Sequence, residues 1–197
     1  MRMSVKYLTA LNLISLISRI GGNNIFNLGD SNYEYEFEHL YKWTSFNRGF
    51  CQARKVNKPI MLFVHKMQCP GCVKLKKKFV KSVRLMDLSD RFIMIKAEMG
   101  KDSNLKHKTF HPDGKYVPRI LFFTSEGKLI KEAYNRCPDA DKDYKYFYKS
   151  AGQVVETMLY VLNKYTNDAL PVAFQQEQSK PEACDPEDEI ILPTLLY

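Results

Sequence analysis

Residues 59 to 83 read Pro-Ile-Met-Leu-Phe-Val-His-Lys-Met-Gln-Cys-Pro-Gly-Cys-Val-Lys-Leu-Lys-Lys-Lys-Phe-Val-Lys-Ser-Val, and the fold turns on where that run changes period. Pro59 to His65 form a short continuous apolar stretch bounded by Asn57-Lys58-Pro59, which suits a strand buried on both faces. From Cys72 the apolar positions are Leu75, Phe79, Val80 and Val83, three and four apart. Lys74, Lys76, Lys77, Lys78 and Lys81 take the other faces, so the segment is expected to be an amphipathic helix with a solvated lysine face. A second buried-strand run follows at Phe92-Ile93-Met94-Ile95. Strand, helix and strand this close make a βαβ unit, for which parallel pairing with a right-handed crossover is strongly favoured.

Working outward, a polar loop holds His111-Pro112-Asp113-Gly114 and leads into Val117-Pro118-Arg119, then the apolar run Ile120-Leu121-Phe122-Phe123. Ser125-Glu126-Gly127-Lys128 reads as a tight turn, and Leu129 to Tyr134 as an antiparallel partner strand. Ser150-Ala151-Gly152-Gln153 is a capping box, opening a helix whose apolar face runs through Val154, Val155, Met158, Val161 and Leu162 to Tyr165. Phe46 to Val56 form a further candidate helix. The fold class is α/β, and no internal repeat is visible.

The chain has 197 residues, 45% hydrophobic and 26% charged, which excludes a disordered or fibrous protein and suits one domain. Its formal charge of +8 permits association with anionic partners, but no motif supports nucleic-acid binding. Arg2 and Lys6 precede an apolar run from Tyr7 to Ile17, interrupted by Thr9, Asn12 and Ser15. That run is short of the ~20 residues a membrane-spanning helix needs. Residues 1–22 are therefore expected to be a secretory signal peptide, with an amphipathic helix as the alternative, and no membrane anchor is expected. Residues 175 to 189 carry six acids against one lysine, with Pro181 and Pro186, and read as part of a flexible acidic tail. Pro193-Thr194-Leu195-Leu196-Tyr197 is not a retention tetrapeptide, which leaves endoplasmic-reticulum lumen and secretion both open. No Asn-x-Ser or Asn-x-Thr sequon is present.

The cysteines lie at 51, 69, 72, 137 and 184, too few for a disulfide scaffold and odd in number. Only Cys69-Pro70-Gly71-Cys72 forms a close pair. At the junction of a buried strand and a helix, that spacing puts Cys69 at the helix N-terminus and Cys72 about one turn inside. Unpaired N–H groups and the positive end of the helix dipole stabilise a thiolate there and can bring a cysteine pKa from ~8.5 to ~7 or below. Cys69 is the expected nucleophile, Pro70 fits the first helical position, and the more shielded Cys72 is the expected resolving thiol. A zinc site would need four ligands, commonly two such pairs, so no metal is expected; a structural disulfide or an inert pair is the other reading.

Three separated segments also carry a resemblance. Lys-Pro-Ile-Met-Leu-Phe-Val-His-Lys before the pair, Phe-His-Pro-Asp-Gly-Lys-Tyr-Val-Pro-Arg-Ile-Leu-Phe-Phe at 110 to 123, and Tyr-Lys-Tyr-Phe-Tyr-Lys-Ser-Ala-Gly-Gln-Val-Val at 144 to 155 resemble the small endoplasmic-reticulum thioredoxin-like proteins of the anterior-gradient group. The likeness spans roughly residues 40 to 168. It implies a thioredoxin fold, a central mixed β-sheet flanked by helices, and thiol-disulfide exchange on client proteins in the secretory pathway. Some relatives of this kind serve mainly as chaperone-like or interaction proteins, and that is the alternative function. The implied organisation is a signal peptide at 1–22, a linker at 23–39, the thioredoxin-like domain at 40–168 and the acidic tail at 169–197. By the same resemblance Pro118 is a cis-proline beside the cysteine pair, exposing the Val117 backbone where an extended client could add as a strand. Two departures stand out: Gln68 replaces the tryptophan that relatives usually carry before the first cysteine, and Pro70-Gly71 replaces the Gly-His of oxidising disulfide isomerases. The missing histidine shifts the expected reduction potential toward a reductase.

His65 and Lys66 just ahead of the pair, and Arg119 just after Pro118, are candidate tuning residues, with a surface arginine as the other reading of Arg119. One of His65 and Lys66 should pack while the other faces solvent. Cys51 is expected to be a small buried hydrophobe. Cys184 has three options: pairing with Cys137, an intermolecular bridge, or a free thiol. No bound cofactor is expected, glutathione being the candidate redox co-substrate. The expected partners are cysteine-containing client proteins.

Overall fold

The computed structural model describes residues 32–166, together with the backbone at 194–195. The expected signal peptide lies outside these residues, as does most of the expected tail. No described helix is long and apolar enough to cross a membrane.

The strand expected from Pro59 is β1, Ile60–His65, with all six residues buried. It pairs in parallel with β2, Ile93–Glu98, in the register Ile60 with Ile93 through His65 with Glu98. On its other side it pairs antiparallel with β4, Arg119–Phe123. The sheet is therefore mixed and three-stranded, in the order β2-β1-β4. A separate two-stranded antiparallel pair joins β3, Tyr116–Val117, to β5, Thr194–Leu195.

Helices cover both faces because the strands are apolar on both. One face of the sheet, with Met61, Phe63, Met94, Ile120 and Phe122, packs against Phe37, Leu75, Phe79, Leu85, Leu88 and the apolar face of the last helix. The other face, with Ile60, Leu62, Val64, Ile95, Leu121 and Phe123, packs against Ala53, Phe46 and Phe50 and includes both Cys69 and Cys72. Helix α2, Phe46–Val56, lies on this second face. Gly49 lets it come close, since a Cβ there would meet the Ile95 side chain at 2.5 Å.

The helix after the cysteine pair is two helices rather than one. α3, Pro70–Phe79, ends just before Val80, and α4 runs over Val83–Ser89. Ser82 makes the break, its hydroxyl capping the Leu85 N–H at 3.2 Å. Val83, expected on the buried stripe, consequently stands 65% exposed at the start of the new helix.

Two further expectations need correcting. Leu129 to Tyr134 make a single bridge from Leu129 to Phe123 instead of a strand, because the chain turns back at once with the Ala133 N–H on the Ile130 carbonyl. Residues 32 to 39 of the expected linker are helical, in α1, Asn32–Leu40. Phe37 anchors α1, fully buried and surrounded by the rings of Tyr41, Trp43, Phe63 and Phe79 at centroid distances from 4.9 to 5.9 Å. The last helix, α5, runs over Ala151–Tyr165 and begins at the expected capping box, with Ser150 and Gln153 bonding reciprocally.

Candidate active site

β1 ends at His65, and four residues later the chain enters α3 with Cys69 as its N-cap and Pro70 in the first turn. The Cys69 sulfur does what a capping oxygen does elsewhere: it accepts the Cys72 N–H at 3.1 Å. The Cys69 N–H in turn reaches the Lys66 carbonyl at 3.3 Å, which holds the approach to the helix. Neither cysteine is in a disulfide in this structure. They are also nearly enclosed, Cys69 at 2% exposure and Cys72 at 1%, so the expected difference in shielding is slight.

Across from the pair, the Val117–Pro118 peptide bond is cis. The Cys69 Sγ lies 3.8 Å from the Val117 carbonyl oxygen, so Cys69, Cys72, Val117 and Pro118 come together at one point. The loop that presents Val117 is held from behind. The Tyr116 hydroxyl donates to Asp113 at 2.7 Å and accepts the Tyr146 N–H at 3.1 Å, and burial holds this phenol protonated.

Arg119 belongs to that support and not to the thiols. Its guanidinium, fully buried, donates to the carbonyls of Gly114 at 3.1 Å and Tyr116 at 2.7 Å and lies over the Tyr116 ring. Burial lowers its pKa to about 10, which leaves it charged at neutral pH. Lys66 is exposed, and it reaches the pair through its backbone carbonyl. His65 is buried at 7%, stacked on Phe63, with Nδ1 unpartnered. Burial first, then the nearby charges of Lys76 and Lys96, lower its pKa to about 4, so the imidazole is neutral.

Cys72 keeps its proton. A hydrogen bond to the Cys69 sulfur and burial push its pKa up, opposed by the Lys66 backbone and by the charge of Lys76. Lys76 is the charged side chain acting on the pair that the sequence reading placed on the solvated face. Instead of lying on a solvated face, its side chain is 5% exposed and paired with Glu34 of α1 at 2.6 Å, over the Phe37 ring. The signal was present, since Cys72, Leu75, Lys76 and Phe79 stand at i, i+3, i+4 and i+7, one helical face. Met67 was also overlooked. It stands 64% exposed two residues before Cys69, a soft apolar side chain at the mouth of the pair. Cys51 is exposed rather than buried. Cys137 is disulfide-bonded, and Cys184 lies outside the described residues.

A mixed sheet between helices, a Cys-x-x-Cys pair capping a helix and a cis-proline facing it define a thioredoxin-like domain, and residues 42–125 match the thioredoxin-like family. Within that class the domain is similar to the anterior gradient proteins. It is 39% identical over 83 residues to mouse (Mus musculus) anterior gradient protein 3, covering 40% of this chain and 46% of that protein. It is 32% identical over 81 residues to the human (Homo sapiens) anterior gradient protein 2 homolog, covering 41% and 44%. Against anterior gradient protein 2-B of Xenopus laevis it is 31% identical over 108 residues, covering 54% and 60%. The chain thus spans about half the length of the curated relatives it matches. A disulphide isomerase from Xylella fastidiosa Temecula1 superposes with a TM-score of 0.42 at 18% identity over 58% of this chain and 86% of that one, a likeness too loose to bear on function.

Proposed function

We propose that the chain is a protein thiol-disulfide oxidoreductase of the secretory pathway, acting through Cys69 and Cys72 on cysteine-containing client proteins. The observation that carries this reading is the Cys69 sulfur, which caps α3 with the Cys72 N–H at 3.1 Å while lying 3.8 Å from the Val117 carbonyl. An N–H donor and a helix N-terminus at one sulfur favour its thiolate. The backbone beside a cis-proline offers an extended client a strand to pair with.

In the reducing direction, the Cys69 thiolate attacks one sulfur of a client disulfide. That S–S bond breaks, a Cys69–client mixed disulfide forms, and the released client thiolate takes up a proton. Cys72 then gives up its own proton and attacks the Cys69 sulfur. The mixed disulfide breaks, the second client thiol leaves, and the pair is left as a Cys69–Cys72 disulfide, two electrons having passed to the client. Two molecules of glutathione, oxidised to one glutathione disulfide, or a single lumenal dithiol return the two electrons. The apolar run from Tyr7 to Ile17 supports entry into the secretory pathway, and no cofactor is required for any step.

A binder of the chaperone-like kind, using the same groove without turnover, is the second reading. It is favoured by Gln68 in the place of an aromatic residue and by the 2% exposure of Cys69. Replacing Cys72 by Ser separates the two. With an exchange enzyme, the variant accumulates covalent client adducts that dissolve in dithiothreitol, and these vanish when Cys69 is also replaced. With a binder, neither variant traps anything and client binding is unchanged.

A further inference from the structure

β3 is only two residues long, and among the described residues its one ladder partner is β5. The pairing is antiparallel, with Val117 opposite Thr194 and Tyr116 opposite Leu195. Val117 is the residue before the cis-proline, and its carbonyl is the group 3.8 Å from Cys69 Sγ. The edge that a client strand would use is therefore already paired, and it is paired by this chain itself.

We infer that the segment at 194–195 is a built-in occupant of the client edge, a pseudo-client that keeps the thiol pair covered until a client strand displaces it. The inference rests on the reading of β3 as the client edge. A β edge has unpaired N–H and C=O groups that accept any extended segment in register, so a client and β5 compete for the same backbone groups. Occupancy fits the burial of the site: Val117 is 0% exposed and Cys69 is 2%, low for a nucleophile that must meet another protein. The sequence around the pairing suits the role, Leu192-Pro193-Thr194-Leu195-Leu196-Tyr197 being apolar and free of cysteine, so it can pair without being turned over. Covalent connection gives the occupant its advantage. A tethered strand competes at an effective concentration on the order of millimolar, so a client must either bind tightly or engage a second surface such as Met67.

The test compares the full chain with a version ending after Ile191 and with the double variant Thr194→Pro, Leu195→Pro. Both positions are changed because paired residues in an antiparallel ladder alternate between bonded and non-bonded, and proline removes the donor whichever one points at β3. The readout is the rate at which a bulky maleimide alkylates Cys69, followed by mass spectrometry. Both altered proteins should react faster than the full chain by about fivefold or more, and the synthetic peptide Leu192–Tyr197 added in millimolar amounts should slow the truncated protein again. Equal rates in all three proteins, with melting temperatures unchanged, would overturn the inference. Because alkylation needs no turnover, that failure is distinct from the failure of the oxidoreductase reading, which shows instead as absent client adducts with Cys72→Ser.

Discussion

His65 carries the clearest pH signature of any single residue. Its buried ring stays neutral down to about pH 4, while in the unfolded chain a histidine takes up a proton near pH 6.5. The unfolded state thus binds more protons between those values. Stability is whole above about pH 6.5, falls by up to about 1.4 kcal/mol per unit as pH drops toward 4, and loses nothing further to this group below that. Urea denaturation at pH 7, 6 and 5 checks it: His65→Leu should flatten the dependence, and an unchanged slope would assign it to other groups. His65 was legible as a residue in the right place, since its position on an apolar strand said that it or Lys66 must pack inward. Arg119 was not. Its position after Pro118 suggested the thiols, but the guanidinium instead ties down the carbonyls of Gly114 and Tyr116, a loop arrangement with no sequence period to announce it.

Between elements, the decisive contact joins α1 to α3. Glu34 holds Lys76, and the Lys76 charge favours the Cys72 thiolate. Lys76→Met should therefore slow resolution of a Cys69 mixed disulfide, roughly three- to fourfold for each unit by which the Cys72 pKa rises because the rarer thiolate is also the stronger nucleophile, without slowing the first attack. Glu34→Gln should act in the opposite direction by leaving the ammonium uncompensated, as stopped-flow single-turnover measurement would show. Slowing by both variants would mean that the pair serves packing alone. The sequence concealed α1 because tyrosine or phenylalanine alternates with glutamate over residues 33–38, a strand-like period that masks the helical spacing of Tyr33, Phe37 and Leu40. One buried ring, Phe37, and ion pairs from Glu34 to Lys76 and from Glu38 to Lys96 hold the helix in place. Conversely, β1, β2, β4 and α5 could be read directly, because a continuous apolar run, a 3.6-residue stripe and a capping box each have one favoured outcome. The break at Ser82 lay in a stretch where stripe and cap signals competed, and the cap prevailed.

At the scale of the molecule, the sheet's two apolar faces explain why the cysteine pair sits where it does. The end of β1 delivers the chain to the N-terminus of α3, and the end of β3 brings a cis-proline against the same sulfur. That convergence was legible only through resemblance, since 48 residues separate Cys69 from Val117. The pairing of β5 with β3 was not legible at all, because Thr194–Leu195 is too short to show a period and follows an acidic, proline-containing stretch. On the proposed function, Cys69 and Cys72 exchange two electrons with thiols as one unit. The most direct test is a glutathione redox titration of the protein, with both thiols counted by alkylation and mass spectrometry at each poise. One reversible two-electron transition is expected, in which Cys69 and Cys72 change together, at a midpoint more reducing than the roughly −180 mV of protein disulfide isomerase. Thiols that alkylate equally at every poise, with no transition, would contradict it.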